Sequence, residues 1–479
     1  MSFTPRPPDP KNSAAPSGGD DAQPKSEGVL GSLFNRLKTA ALTPQSDVDA
    51  FFRMVKNGDS AGVRAQLAAG MSPNATNASG ESAIHIAARA DRADMIALLA
   101  RAGADVRRGI ADDAGRTPLQ DAIHFGKAAA AATLITCGGC PDNMQATQDL
   151  LHRACEKDMG DVILAFAAAG VDLRTPSALH VTPMMAALNA KKTVAAQSLL
   201  RQREIIADLN ARLPGDREGR TLFHLAVMRA DAALVDAMID DGALVNLARD
   251  DGMTPLLLAI NRADAALVAV LLAKGADACR PVMATGQGVL KQLQTTPLAH
   301  LAGIRSMNDD VRAQIARLLI EAGADVNAHD PHSGATPLHR LMSFGGVTAT
   351  LSVFLRYGAR VNVRSRDGAT ALMLAIEGSS LHEITNLLSA GADPNARHDH
   401  DARTPLMIAA ALGQGDTMRE LLQAGANPRL LDNNGHSAMY YAQVNMRAKE
   451  QTVPILAEAL RRDVKPLFRG HYGPGGRQP

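Results

Sequence analysis

Three arrangements in this chain carry side chains able to ligate a metal or activate a nucleophile. Cys137-Gly138-Gly139-Cys140 has the CxxC spacing of zinc sites and dithiol redox centres. His398-Asp399-His400-Asp401 alternates imidazole and carboxylate, a donor set suited to a divalent ion, with His329 and His332 upstream as further donors. His85, His152, His224 and His339 form a third set, which would suit metal or acid–base chemistry if the fold gathered them.

The segments that must position these residues repeat. Thr404-Pro405-Leu406, Leu421-Leu422 and Gly425-Ala426-Asn427 make one copy of a phrase, and Thr254-Pro255-Leu256, Leu271-Leu272 and Gly275-Ala276-Asp277 make another. With the Thr as position 1, the equivalent residues are Ser82, Thr117, Asp149, Thr182, Thr221, Thr254, Thr296, Thr336, Thr370, Thr404 and Ser437. A degenerate unit over Asp47–Ala69 precedes them, making twelve units. A period near 33 residues means that each unit buries its apolar face against its neighbours.

Within a unit, Thr, Ser or Asp caps a first helix, and the following Pro needs no amide donor there. A break at positions 10–12 starts a second helix. Gly at position 22 (Gly103, Gly138, Gly242, Gly275, Gly323, Gly358, Gly391, Gly425) ends it by entering the left-handed region. Asp- and Asn-rich turns such as Asp250-Asp251-Gly252 lead to the next Thr. Four units depart from the pattern. Asp149-Leu150 replaces Thr-Pro, the fourth unit loses Gly-Ala-Asp around 201–210, and extra residues enter near 201–216, 280–295 and 303–311.

Gly219-Arg220-Thr221-Leu222-Phe223-His224-Leu225-Ala226, Gly334-Ala335-Thr336-Pro337-Leu338-His339 and Gly323-Ala324-Asp325-Val326-Asn327-Ala328 carry a resemblance to ankyrin repeats over residues 47–463. The resemblance implies an all-α helix–turn–helix solenoid with projecting hairpin fingers. Its concave side and fingertips would bind other proteins. It also implies a structural role for His85, His152, His224 and His339, each tying a helix start to the cap hydroxyl. Cys137 and Cys140 fall at the C-terminal end of a second helix, where the helix dipole disfavours a thiolate, and no second CxxC lies near to complete a zinc site. The fingers bearing His329/His332 and His398/His400 are two layers apart, too far to share one ion.

No catalytic, cofactor or metal residues are expected, and the chain reads as no enzyme. Gly126-Lys127 lacks the remainder of a phosphate loop, Gly286-Gln287-Gly288 opens no dinucleotide motif, and there is no GxSxG elbow. Net charge is +1 with Trp absent and aromatics at 3%, so no basic field points to nucleic acid. No stretch approaches the ~18 apolar residues of a membrane span.

The expected organisation is a disordered segment over 1–28, an amphipathic capping or docking helix over 29–46, the array over 47–463 and a flexible basic tail over 464–479. The function read from these features is a cytoplasmic, monomeric protein-binding scaffold, with partner contacts at Arg217, Arg229, Arg249, Arg262, Lys291, Gln292, His329 and His332. Two alternatives are a regulatory subunit using Cys137/Cys140 as a redox pair, and an exported effector that binds host proteins.

Overall fold

The computed structural model describes residues 45–462, except 111–114, 178, 214, 284–293, 344 and 379. The expected segment 1–28, the helix expected over 29–42, the tail 464–479, and Lys291 and Gln292 lie outside the described residues. The chain divides into two compact units, Met1–Pro118 and Leu119–Pro479.

The first unit holds two helix pairs, Gln45–Asn57 with Ser60–Ala68 and Ala83–Arg89 with Ala93–Arg101. The first pair is the degenerate repeat. It buries Val48, Phe51, Phe52 and Val55 on one face, and Asp59 caps its second helix through Gly62 N at 2.9 Å.

The second unit holds ten pairs, from Pro118–His124 with Ala128–Thr136 to Ala438–Val444 with Lys449–Arg462. The twelve pairs among the described residues match the number of units read from the repeat. In the second unit, each second helix packs on the next, and so do the first helices from Met144–Glu156 onward. Leu, Ala and Ile supply these layers. In the Thr254 unit, Leu256, Leu257, Ala259, Ile260, Leu267, Val268 and Leu271 are all buried. A small side chain such as Ala259 lets thin helices approach closely, so aromatic bulk is not needed.

The cap chemistry follows the sequence closely. The hydroxyls of Thr182, Thr221, Thr254, Thr296, Thr370 and Thr404 each accept from the amide three residues on. Glycines at the ends of second helices hold positive φ, for example Gly323 at +99° and Gly358 at +82°. An L side chain there would crowd the following carbonyl.

Three departures carry information. The cap expected at Asp149 is wrong: the helix spans Met144–Glu156 and Asn143 caps it, its Oδ1 accepting from Gln145 N at 2.9 Å. Pro141-Asp142-Asn143 supplies a start signal six residues early, which places Asp149 in the helix interior. The extra residues near 201–216 form a short helix, Arg203–Asp208. Those near 303–311 form a loop that leads into a second helix lengthened to 13 residues, Asp309–Glu321. Arg312, 1% exposed, turns inward to hold that loop, donating to Ile304 O at 2.6 Å and Met307 O at 3.0 Å.

The finger over Arg280–Thr295 has a paired antiparallel stem, Val282 with Thr295 and Met283 with Gln294. It is the one two-stranded sheet among the described residues of this otherwise helical fold.

Candidate interaction surface

Each unit has a finger end, where its first helix begins, and a break end, where its first helix stops and its second starts. Polar side chains at both ends do one of two things: they lock neighbouring units together, or they are left uncommitted.

At the finger end the locking residue is an asparagine. Asn246 donates from Nδ2 to Gly275 O at 2.9 Å and accepts from Asp277 N at 2.9 Å. Asn210, Asn327, Asn362 and Asn395 make the same two bonds to the unit that follows each. Asn74 does so within the first unit. The amide of the side chain replaces a missing backbone pair, so the finger bases from Asn210 to Asn395 form a ladder interrupted only at Cys279.

The histidines add a second lock. His224 Nδ1 lies 2.9 Å from the Thr221 hydroxyl and accepts from Thr221 N at 3.2 Å, while Nε2 reaches Leu247 O at 2.8 Å. His339 joins Thr336 to Ala369 O, and His85 joins Ser82 to Arg116 O, in the same way. Burial pushes the pKa of His224 and of His339 down, as expected for rings held neutral. His152 is the exception to the cap-hydroxyl expectation. Its nitrogens face Gln148 O and Val181 O, both at 2.7 Å, because the early helix start leaves no cap hydroxyl beside it.

The residues expected to meet a partner divide accordingly. Arg249 is 10% exposed and ion-paired with Asp251 and, at 3.1 Å, with Glu218. Burial opposes its charge, but Asp251 outweighs that and raises its pKa. It is a structural residue. Arg262 is also committed, donating to Val227 O at 2.6 Å and Ala230 O at 2.9 Å, the open carbonyls at the end of the preceding first helix.

Arg229 sits at the equivalent point of an identical heptapeptide, yet it is exposed and makes no ion pair or side-chain hydrogen bond. Backbone conformation separates the two. Ala230 is extended (φ −86°, ψ 175°), whereas Ala263 is left-handed at φ +55°. Arg229 and Arg262 nevertheless line one groove at the break end, as the repeat register implies. Arg217, His329 and His332 are exposed at the finger end, His329 with only a 3.4 Å contact to Gly334 O.

Among the described residues, no group of three or more His, Cys, Asp or Glu is placed to hold a metal ion. The His398 and His400 rings are 5.7 Å apart, and His398 faces Asp401 at 3.3 Å. Cys137 is the C-cap of Ala128–Thr136. Burial pushes the Cys155 thiol far above its usual range.

A family model for ankyrin repeats (3 copies) matches residues 51–147, 184–282, 223–330, 306–398 and 378–465. The chain belongs to the ankyrin-repeat family. Among curated proteins, this ankyrin-repeat chain is 28% identical over 289 residues to E3 ubiquitin-protein ligase KEG of Arabidopsis thaliana, covering 50% of the chain and 17% of that protein. It is 29% identical over 281 residues to Ankyrin repeat and SOCS box protein 16 of Homo sapiens, covering 57% of the chain and 49% of that protein. The chain therefore spans half or less of the length of these relatives. No described helix of the ankyrin-repeat chain is long and apolar enough to cross a membrane.

Two finger-end features of this ankyrin array escaped the sequence reading. Arg174 and Arg212 make bidentate pairs with Asp208 (2.6 and 2.9 Å) and Asp250 (2.8 and 2.6 Å). Together with the Arg203–Asp208 helix they rim a cavity of about 240 Å³ floored by Met184, Ile205, Leu213 and Leu222. The signal was an Arg followed by Asp one repeat length later. At the last full finger, His436 stacks on Tyr440 with centroids 3.7 Å apart, and Arg403 lies 5.0 Å from the centroid of the Tyr441 ring. A Tyr pair in a chain with four Tyr was visible in the sequence but not used.

Proposed function

We propose that the chain is a non-enzymatic scaffold that binds a partner protein through the finger end of its central repeats. The observation that carries this is the cavity beneath the Arg203–Asp208 helix. It combines an apolar floor with a rim of Arg174 and Arg212, and Arg217 is exposed later in the finger that Arg212 begins. Apolar pockets with a few fixed polar groups at the mouth are where interface anchors seat. The locked fingers around it lose little freedom on binding, which favours recognition by a rigid surface. Ankyrin-repeat membership supports a protein as the partner. The ligase activity in the name of the first relative is not carried over, because the match covers 17% of that protein.

The test is affinity capture with the full chain, an R212E/R217E variant and a chain lacking 280–295. Partners of the wild-type chain should be lost by R212E/R217E while its thermal melt is kept. Retention of every partner by both variants would overturn the finger-end reading.

A further inference from the structure

The break end of the central repeats carries charge that the fold does not use. Lys191, Lys192, Arg229 and Arg262 line a groove of about 390 Å³ there, with Asp231 and Asp264. Both acids are occupied as helix caps. Asp231 accepts from Leu234 N at 2.8 Å, and Asp264 accepts from Leu267 N at 3.0 Å and pairs with Arg262. Lys191, Lys192 and Arg229 make no ion pair and no side-chain hydrogen bond. Lys127 and Lys157 extend the edge over the two preceding layers, although Glu156 and Asp161 offset Lys157. First helices end and second helices begin on this edge, so their dipoles oppose one another and the side chains set the potential.

Lys191 adds an independent observation. It holds φ +56°, in the left-handed region. At the same turn in other breaks the chain places Gly58, Gly126, Gly346 and Gly413, the left-handed Asp91 and Ala263, or Asp158, whose carboxylate accepts from Ala195 N at 2.7 Å. Asp158 repays its strained backbone with that cap. Lys191 shares that conformation but its side chain makes no cap, which leaves its ammonium group available to a ligand.

We propose that this edge binds an extended acidic segment of a partner protein, on a surface separate from the fingers. Stacked helices set the cations about 8–10 Å apart from layer to layer. An extended polypeptide rises about 3.3 Å per residue, so an acid at every third residue meets each layer. Nucleic acid fits less well, because its phosphates fall closer together than the layers. Among the described residues, the large exposed hydrophobes near the edge lysines in sequence are Phe125 and Val194, too little to seat on a bilayer.

The experiment is fluorescence anisotropy of a labelled oligoglutamate with the full chain at low salt. The wild-type chain should bind, and K191E/K192E/R229E should bind more than about tenfold more weakly, each exposed pair being worth a few-fold. K191G should melt at a higher temperature than wild type, because the strain is gone, yet bind about two- to fivefold more weakly. R217E, at the finger end, should bind as wild type does, so the two surfaces fail independently. Equal affinity of wild type and the triple variant would overturn the proposal. So would tighter binding of oligothymidine or phosphatidylserine vesicles than of the peptide, if the same variant abolished it.

Discussion

At the scale of single residues, one imidazole does the work of two bonds. His224 fixes its own helix start and reaches the next finger, and burial holds its pKa below the ordinary histidine value. His224→Ala should cost about 2–4 kcal/mol, from two lost bonds and the space left behind. Urea denaturation of the full chain would measure this. The depressed pKa values of His224 and His339 also fix a pH dependence. A group with a lowered folded pKa takes up its proton more readily unfolded, so its contribution is intact above the unfolded pKa and is lost as pH falls through the folded one. The urea midpoint should therefore drop between about pH 7 and about pH 5.5, and H224Q/H339Q should flatten that drop. An unchanged slope in the double variant would assign the acid sensitivity elsewhere. The ankyrin resemblance made the His–Thr pairs legible, with donor and acceptor three residues apart in one helix turn. Arg229 and Arg262 were not separable that way, since the turn that distinguishes them is set by tertiary packing.

Helix ends show where neighbouring elements depend on one another. The helix Thr348–Arg356 follows Val347, which has no side-chain cap to offer. Its amides are capped from both sides instead. Asp309 accepts from Ala349 N at 2.7 Å and Thr350 N at 3.3 Å, and Glu383 accepts from Val347 N at 2.8 Å. Each acid belongs to an adjacent unit, so one helix N-terminus ties three layers. Losing either acid should cost about 1–3 kcal/mol. After one loss the other acid still holds the first turn, so D309A/E383A should exceed the sum of the singles by about 0.5 kcal/mol or more, read from a double-mutant cycle. Strict additivity would mean that the two caps act separately. The existence and type of these helices followed from the repeat, while these caps did not. A cap supplied from some 35–40 residues away leaves no local trace in sequence. The misread start at Asp149 has the converse cause: a stronger local signal at Asn143 overrode the repeat register.

For the whole molecule, stability is a sum over interfaces, and the asparagine ladder singles out one weakened step within its own run. All the ladder residues but Asn210 stand four places after a helix-ending glycine: Asn74 after Gly70, Asn246 after Gly242, Asn327 after Gly323, Asn362 after Gly358 and Asn395 after Gly391. After Gly275 the same place holds Cys279, whose thiol donates to Gly323 O at 3.1 Å. A thiol is a weak donor, and it lacks the amide oxygen that accepts the second bond at the other steps. The long finger over 280–295 enters at this same step, so the interface between the Thr254 and Thr296 units has both the longest connection and a weaker lock than the asparagine steps on either side. In a repeat array, nearest-neighbour interfaces decide whether unfolding is all-or-none or proceeds in blocks. Hydrogen exchange should therefore show the amides on either side of Cys279 opening at lower free energy than those around Asn362. Cys279→Asn should restore two bonds, raise stability by about 0.5–1.5 kcal/mol and sharpen the denaturant transition. If the asparagine left both the midpoint and the slope unchanged, the ladder would be a geometric regularity without energetic weight.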